Sequence, residues 1–159
     1  MTDKLLPGSL RSAADLFQKL RRDAALLEDE VTSDRFFNFV VTGYSLIDWI
    51  KHDPAVVVGA KSTNEIDGLY ADPWLTLCGD CATGAKHFKF AKRQPTASAV
   101  SVRRGWGVGR FGKGAYGVGE EEIAVHLPDG TIYRVFELVE GVVETWNRFF
   151  KRHGLAGAL

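Results

Sequence analysis

Apolar residues recur every three or four positions over the first part of the chain, which is the spacing of one face of an α-helix. Ser9 is suited to cap the N-terminus of this helix. The apolar face continues over about three heptad repeats. It consists of Leu10, Ala13, Phe17, Leu20, Ala24, Leu27 and Val31. The pattern predicts a long helix that packs along one side in a bundle.

A second helix is predicted after Thr32 or Ser33, either of which can cap it, and it stops at Asp53-Pro54. Its sequence, DRFFNFVVTGYSLIDWIKH, is apolar on nearly every side. At 100° per residue, one stripe along it is polar. The stripe consists of Asn38, Thr42, Ser45, Asp48 and His52. Because polar groups on a buried helix need partners, these residues should either bond to a neighbouring helix or line a polar cleft or subunit interface, as candidate binding residues.

Residues 53–71 give mixed signals and are predicted to be a loop with at most one short element. Asp72-Pro73 is a strong start signal, and a third helix should run from there to about Arg93, before Pro95.

The pattern then changes to strands, in TASAVSV, EEIAVHL and TIYRVFELV, with a turn at Pro128-Asp129-Gly130. A last helix is predicted over about 140–154. The chain is therefore expected to form one α+β domain over 1–159. A three-helix bundle (about 9–93) precedes an antiparallel sheet of about three strands (96–139), which carries a glycine-rich loop (103–119), and the C-terminal helix.

Two cysteines lie within the third predicted helix, in CGDCATGAKHFKF. Cys78 and Cys81 share one apolar stripe with Trp74, Ala85 and Phe88, where a thiol behaves as a small apolar group. A structural zinc site needs four ligands, and the chain has no second cysteine pair. We therefore expect both thiols to be buried, reduced and free of metal, and we expect no cofactor.

The same helix carries Gly79 and Gly84, which are costly inside a helix and often mark the close approach of another element. Together with the heptad pattern of the first helix, they predict self-association as a homodimer through helices. A different face carries polar groups that could perform acid–base chemistry. If the chain is an enzyme, its candidate catalytic residues are His87, Lys86, Asp80 and His52.

Composition places the chain among ordinary soluble domains, with 45% hydrophobic and 25% charged residues. No run approaches the roughly 18 apolar residues of a membrane span, so a cytoplasmic protein without membrane contact is expected. The net charge is zero, but residues 81–119 carry eight basic residues and no acidic one. Such a block indicates either an anion or nucleic-acid surface, or packing beside acidic residues of the same chain or a partner.

The glycine-rich stretch GWGVGRFGKGAYGVG resembles a phosphate-binding loop, but it lacks the serine or threonine and leads into a strand, so no nucleotide cofactor is expected. Aromatic and basic residues alternate in and beside it. These candidate binding residues are Arg103, Arg104, Trp106, Arg110, Phe111, Lys113 and Tyr116. They could stack on and neutralise single-stranded nucleic acid or bind a protein partner; alternatively, the aromatic residues could fold back onto the domain or pack on another subunit.

NFVVTGYSLIDWIKHDP followed by LCGDCATGAKHFKF, a strand hairpin and a tryptophan-bearing last helix resembles small bacterial proteins with a helical core and, more distantly, the HEPN superfamily. The resemblance covers about residues 10–93. HEPN ribonucleases pair an arginine, four to six residues before a histidine, across a dimer interface. Relative to His87, those positions hold Cys81, Ala82 and Thr83.

Two functions follow. The first is a non-enzymatic, homodimeric interaction or regulatory protein that binds a protein or nucleic-acid partner, in the bacterial defence or toxin-control setting that the resemblance implies. The alternative is a metal-independent endoribonuclease that uses His87 with Lys86, Asp80 or His52.

Overall fold

The structure is a computed structural model that describes residues 8–86, 95–116 and 118–158. In the described residues, a run of helices precedes a small antiparallel sheet and a last helix, which confirms the α+β class. The elements are α1 (Ala13–Asp29), α2 (Ser33–His52), a 3₁₀ helix (Val58–Lys61), α3 (Thr63–Ala71), α4 (Pro73–Lys86), β1 (Ala99–Arg103), β2 (Glu122–His126), β3 (Ile132–Arg134) and α5 (Val135–Arg152). None of the helices within the described residues is both long and apolar enough to cross a membrane.

Short polar side chains fix where the first two helices begin. The helix α1 starts at Ala13 rather than after Ser9, because Ser12 and Asp15 cap it reciprocally: Ser12 Oγ accepts from the Asp15 N–H at 3.1 Å, and Asp15 Oδ2 accepts from the Ser12 N–H at 2.9 Å. The predicted cap at Ser9 is therefore wrong by three residues. Thr32 caps α2 as expected, through a 3.2 Å bond from the Arg35 N–H.

Residues 53–71 are more ordered than a loop. Ser62 Oγ accepts from the Glu65 N–H at 3.3 Å and caps α3. Ile66 and Leu69 are buried at helical spacing, so this short helix closes over the core. The sequence Ser-Thr-Asn-Glu at 62–65 is a capping signature that places α3, which the prediction of a loop with one short element did not locate.

The core lies where α1, α2, α4 and α5 meet. The apolar face of α1 packs against other elements of the same chain, since Phe17, Leu20 and Leu27 are completely buried. Trp146 of α5 is also completely buried, and its indole Nε1 donates to the Gly43 carbonyl at 3.0 Å. This bond satisfies the only polar atom of a large apolar ring.

The helix α4 begins as predicted, because Asp72 Oδ1 accepts from the N–H groups of Trp74 and Leu75. It is described as far as Lys86; the predicted extension to Arg93 lies outside the described residues.

The three strands are antiparallel in the order β1-β2-β3. In β2, Ile123 and Val125 point to the core and are buried. Their register partners in β1 are Val102 and Val100, which therefore lie on the same face.

Strand β3 ends earlier than the sequence suggests. The prediction that TIYRVFELV is a strand is wrong from Val135 onward, where α5 begins instead of at 140. Glu137 Oε2 accepts from the Arg134 N–H at 2.8 Å and stabilises this earlier start. The turn between β2 and β3 forms as predicted, with the Leu127 N–H bonded to the Thr131 carbonyl at 2.9 Å.

Candidate interaction surface

The glycine-rich loop between β1 and β2 is closed at its base by an ion pair. Glu120 is buried, and its Oε1 accepts from the backbone N–H of Arg110 at 2.7 Å and from the Arg110 Nε at 2.8 Å. Its Oε2 accepts from the Val31 N–H at 3.0 Å, which ties the loop to the α1–α2 connection. Burial by itself would raise the pKa of Glu120, but the bonds from Arg110 and Val31 lower that pKa to about 2. Glu120 is therefore a structural anion.

Arg110 is held on several sides. Its guanidinium lies 4.6 Å from the centre of the Phe136 ring, and Nη2 donates to the Leu27 carbonyl at 3.3 Å. The hydrogen bond to Glu120 raises the pKa of Arg110. Gly109 makes this packing possible, because a Cβ there would lie 2.5 Å from Glu120 Cγ. The clamp formed by Glu120 and Arg110 thus fixes the loop against α1 and α5.

The other basic residues that were predicted from the sequence to bind phosphate also lie near carboxylates. Arg104 bonds to Glu121, and Arg103 lies 3.7 Å from Glu122. Lys113 is 4.0 Å from Asp29. Burial would raise the pKa of Glu121, but hydrogen bonds from Ser33 and Arg104 lower it. Each of the four predicted basic binding residues in and beside the loop therefore has an acidic neighbour in its own chain.

Unlike the paired basic residues, the aromatic side chains of the loop are exposed to solvent. Trp106 is 90% exposed, and Phe111 and Tyr116 are fully exposed. The aromatic side chains do not fold back onto the domain, although that was one of the alternatives that the sequence allowed. Gly114, between Phe111 and Tyr116, has φ +79°, and a Cβ there would lie 2.3 Å from the Gly119 carbonyl carbon. The loop backbone thus turns tightly where only glycine fits, and it leaves the three rings in solvent.

The polar stripe of α2 divides into separate environments. Thr42 is buried and donates to Asp23 Oδ2 at 2.9 Å, while Lys19 Nζ donates to Thr42 Oγ1 at 2.8 Å. This network joins α1 to α2, which is the interhelical bonding that the sequence allowed. The other members of the stripe are more open to solvent: Ser45 is partly exposed, and Asn38, Asp48 and His52 are exposed. His52 Nδ1 lies 3.2 Å from Asp48 Oδ1, one turn earlier on the same helix.

The candidate catalytic residues do not share one described site. Asp80 is buried, and its Oδ2 accepts from the N–H groups of Thr96 and Ala97 at 2.7 and 2.9 Å, which fixes the chain leading into β1. Asp80 borders the same apolar space as Val40 of α2. His52 lies twelve residues beyond Val40, or about 18 Å along the helix axis. His87 and the side chain of Lys86 lie outside what the structure describes.

Both cysteines are buried and unbridged, as predicted. Cys78 Sγ contacts the Val40 carbonyl at 3.3 Å, and burial raises the pKa of Cys81 to about 12. Across 8–86, 95–116 and 118–158, no three His, Cys, Asp or Glu side chains are grouped so that they could hold a metal ion.

The close approach predicted at Gly79 is made by the ring of Tyr44, 2.5 Å from where a Cβ would stand, so it is internal to this chain. Gly84 is exposed.

Sequence reasoning missed the importance of Glu120 and Glu121. The signal was the run of three glutamates that directly follows residues 81–119, which contain basic but no acidic residues.

Neither family models nor comparisons with curated proteins and solved structures gave any match to this chain.

Proposed function

We propose that this chain is a non-enzymatic interaction protein that binds a partner protein through Trp106, Phe111 and Tyr116. The observation that carries the proposal is the exposure of three aromatic side chains, each 90% or more, on a loop whose base is clamped by Glu120 and Arg110. Large apolar side chains exposed together on a surface segment often mark an interaction site. Aromatic residues are also the side chains that most often dominate the binding energy of protein interfaces.

The electrostatics of the loop favour a protein over a nucleic acid. A nucleic-acid surface gains affinity when free lysine and arginine side chains neutralise phosphates. Here Arg110 is committed to buried Glu120, and Arg104 to Glu121. Phosphate binding would have to break these pairs and would place the phosphate beside the released carboxylates. A protein partner can instead cover the rings and leave the ion pairs in place.

The clamp also lowers the cost of binding. A loop that is ordered only in the complex loses conformational freedom, and that loss subtracts from affinity. The Glu120–Arg110 pair already holds the base of the loop before a partner binds. Loops that combine glycine with tyrosine, tryptophan and arginine are common in binding surfaces for the same reason.

Site-specific photo-crosslinking in the native host tests the proposal. A photoreactive residue at 106, 111 or 116 should capture one and the same protein. The matched control position is Ile132, which is 54% exposed on the far edge of the sheet and should not capture it. With that partner purified, Trp106→Ala should weaken binding at least tenfold, and Ile132→Ala should not.

Titration of labelled single-stranded RNA distinguishes the other functions. RNA binding that weakens steeply with salt and is lost with Arg103→Ala would overturn the protein-binding proposal in favour of nucleic acid. Cleavage of that RNA, abolished by His87→Ala, would favour the endoribonuclease. Capture of the same protein from position 132 as from 106 would show that the loop is not the binding surface.

A further inference from the structure

Strand β1 has an open edge. Among the described residues it pairs only with β2, so it lies at one side of the three-stranded sheet. The backbone N–H and C=O groups on the outer side of an edge strand are a template for another strand. An extended strand is therefore the structure that could most readily pair with this edge.

The inward face of β1 is incompletely covered. Val100 and Val102 lie on the same face as Val125 and Ile123, which are buried, yet they are 43% and 50% exposed. Phe37 of α2, nearby, is 42% exposed. These three side chains line an open apolar cavity of about 610 Å³ between β1, α2 and the end of α4. A strand added to β1 would direct alternate side chains toward this space.

The sequence of β1 fits a second copy of itself. Val100-Ser101-Val102 reads the same in both directions about Ser101. In an antiparallel pair with Ser101 opposite Ser101, Val100 of each copy faces Val102 of the other. Arg103 then lies opposite Ala99, so no like charges meet. Identical surfaces meeting across a two-fold axis are the commonest form of homodimer.

We propose that two copies of this chain associate by antiparallel pairing of β1 with β1, about a two-fold axis at Ser101, to form a six-stranded sheet. Two of the helical features that suggested a homodimer are already used within the chain: the apolar face of α1 is in the core and Gly79 meets Tyr44. Among the described residues, the outer edge of β1 remains available to a second copy. This proposal does not depend on partner binding by the glycine-rich loop.

A single cysteine tests both the pairing and its register. Directly opposed residues in antiparallel strands have Cα atoms about 4.5 to 5.5 Å apart, within the range that a disulfide spans. Oxidised Ser101→Cys should therefore form a covalent dimer on a non-reducing gel. In the matched control Ala99→Cys, the two introduced thiols would be about 13 Å apart along the strands and should not link. The unmodified chain should not link either, because Cys78 and Cys81 are buried.

The mass in solution supplies a second test. At concentrations of tens of micromolar, light scattering should give a dimer for the unmodified chain. Val102→Lys should weaken dimerisation at least tenfold. Ile132→Lys, on the opposite edge strand and equally exposed, should not. Trp106→Ala should also leave the dimer intact, which separates this proposal from the function proposed for the loop.

Several outcomes would overturn the inference. One is a monomeric mass for the unmodified chain at 100 micromolar. Another is equal linking of Ser101→Cys and Ala99→Cys, which would indicate random collision. Slow hydrogen exchange at the outer edge of β1 in a monomer would show that another segment of the same chain covers it. Equal weakening by Val102→Lys and Ile132→Lys would place the interface elsewhere.

Discussion

The Glu120–Arg110 pair holds the base of the glycine-rich loop, so we expect Glu120→Gln to lower the free energy of unfolding. The pKa of Glu120 is about 2, against an ordinary value of 4.5. At about 1.4 kcal/mol for each pH unit between these values, the ionised side chain contributes up to about 3 kcal/mol. Water can still reach part of the Arg110 side chain, and glutamine keeps one acceptor oxygen. We therefore expect a loss of about 2 kcal/mol at pH 7.

The pH dependence identifies the cause. A carboxylate whose pKa is lower in the folded state stabilises the fold fully above its unfolded pKa. That stabilisation is lost as the pH falls through the folded pKa. The difference between the original chain and Glu120→Gln should therefore be constant above about pH 4.5 and close between about pH 4.5 and pH 2. Other carboxylates titrate in both proteins and largely cancel in this difference.

Urea unfolding followed by tryptophan fluorescence, at pH 7, 4, 3 and 2.5, measures this difference. The matched control is Glu122→Gln, whose carboxylate lies 3.7 Å from exposed Arg103 and should cost less than about 0.5 kcal/mol. A loss at position 120 no larger than the control would refute the reasoning. A loss that stays the same from pH 7 to pH 2.5 would show that packing, and not charge, is responsible.

Further predictions concern three helical glycines and the two cysteines. Gly141→Ala and Gly79→Ala should each destabilise the fold by about 2 kcal/mol or more in the same urea assay, because the new Cβ would lie 2.2 Å from the Trp74 ring and 2.5 Å from the Tyr44 ring. Gly68→Ala in α3 has open space around it and should instead stabilise by about 0.5 to 1 kcal/mol; a loss there would contradict the helical geometry. The thiols of Cys78 and Cys81 should react with a maleimide only after unfolding, since both are buried and the pKa of Cys81 is about 12; rapid labelling of the native chain at pH 8 would show that they are accessible.

Elements that depend on local signals were predictable from sequence. Thr32 and Asp72 cap α2 and α4 where the sequence placed them, because a cap needs only its own side chain and the next few N–H groups. The start of α1 was misplaced because Ser9 and Ser12 are both suitable caps. Only Ser12 has an aspartate three residues later to complete the reciprocal bonds.

Where the periodicities of a strand and a helix overlap, the sequence could not decide between the two structures. The segment TIYRVFELV alternates like a strand, but Val135, Leu138 and Val142 also recur at helical spacing. Burial of all three against the other helices favours the helix from Val135 onward. Tertiary packing thus overrides local preference at this boundary, as it often does for short apolar runs.

The candidate interaction surface was only half predictable. The basic and aromatic residues of the loop stand out in sequence, but whether an aromatic ring is exposed depends on what the rest of the fold offers it. The carboxylate partners of the basic residues were even harder to predict from the sequence. Glu120 lies ten residues after Arg110, and its other bond is to Val31, which is 89 residues away. No local pattern encodes such a contact.

The position of three glutamates explains how the basic residues of the glycine-rich loop are balanced by acidic neighbours in space. The block has no acid over 81–119, and Glu120, Glu121 and Glu122 follow it at once. The antiparallel return of the chain places Glu122 opposite Arg103, and Glu121 beside Arg104. The charge at the surface of the loop therefore depends on how the chain folds back and not only on the order of residues. Because each of the four basic residues of the loop region has a carboxylate neighbour, we propose that the exposed rings bind a protein and not a phosphate backbone.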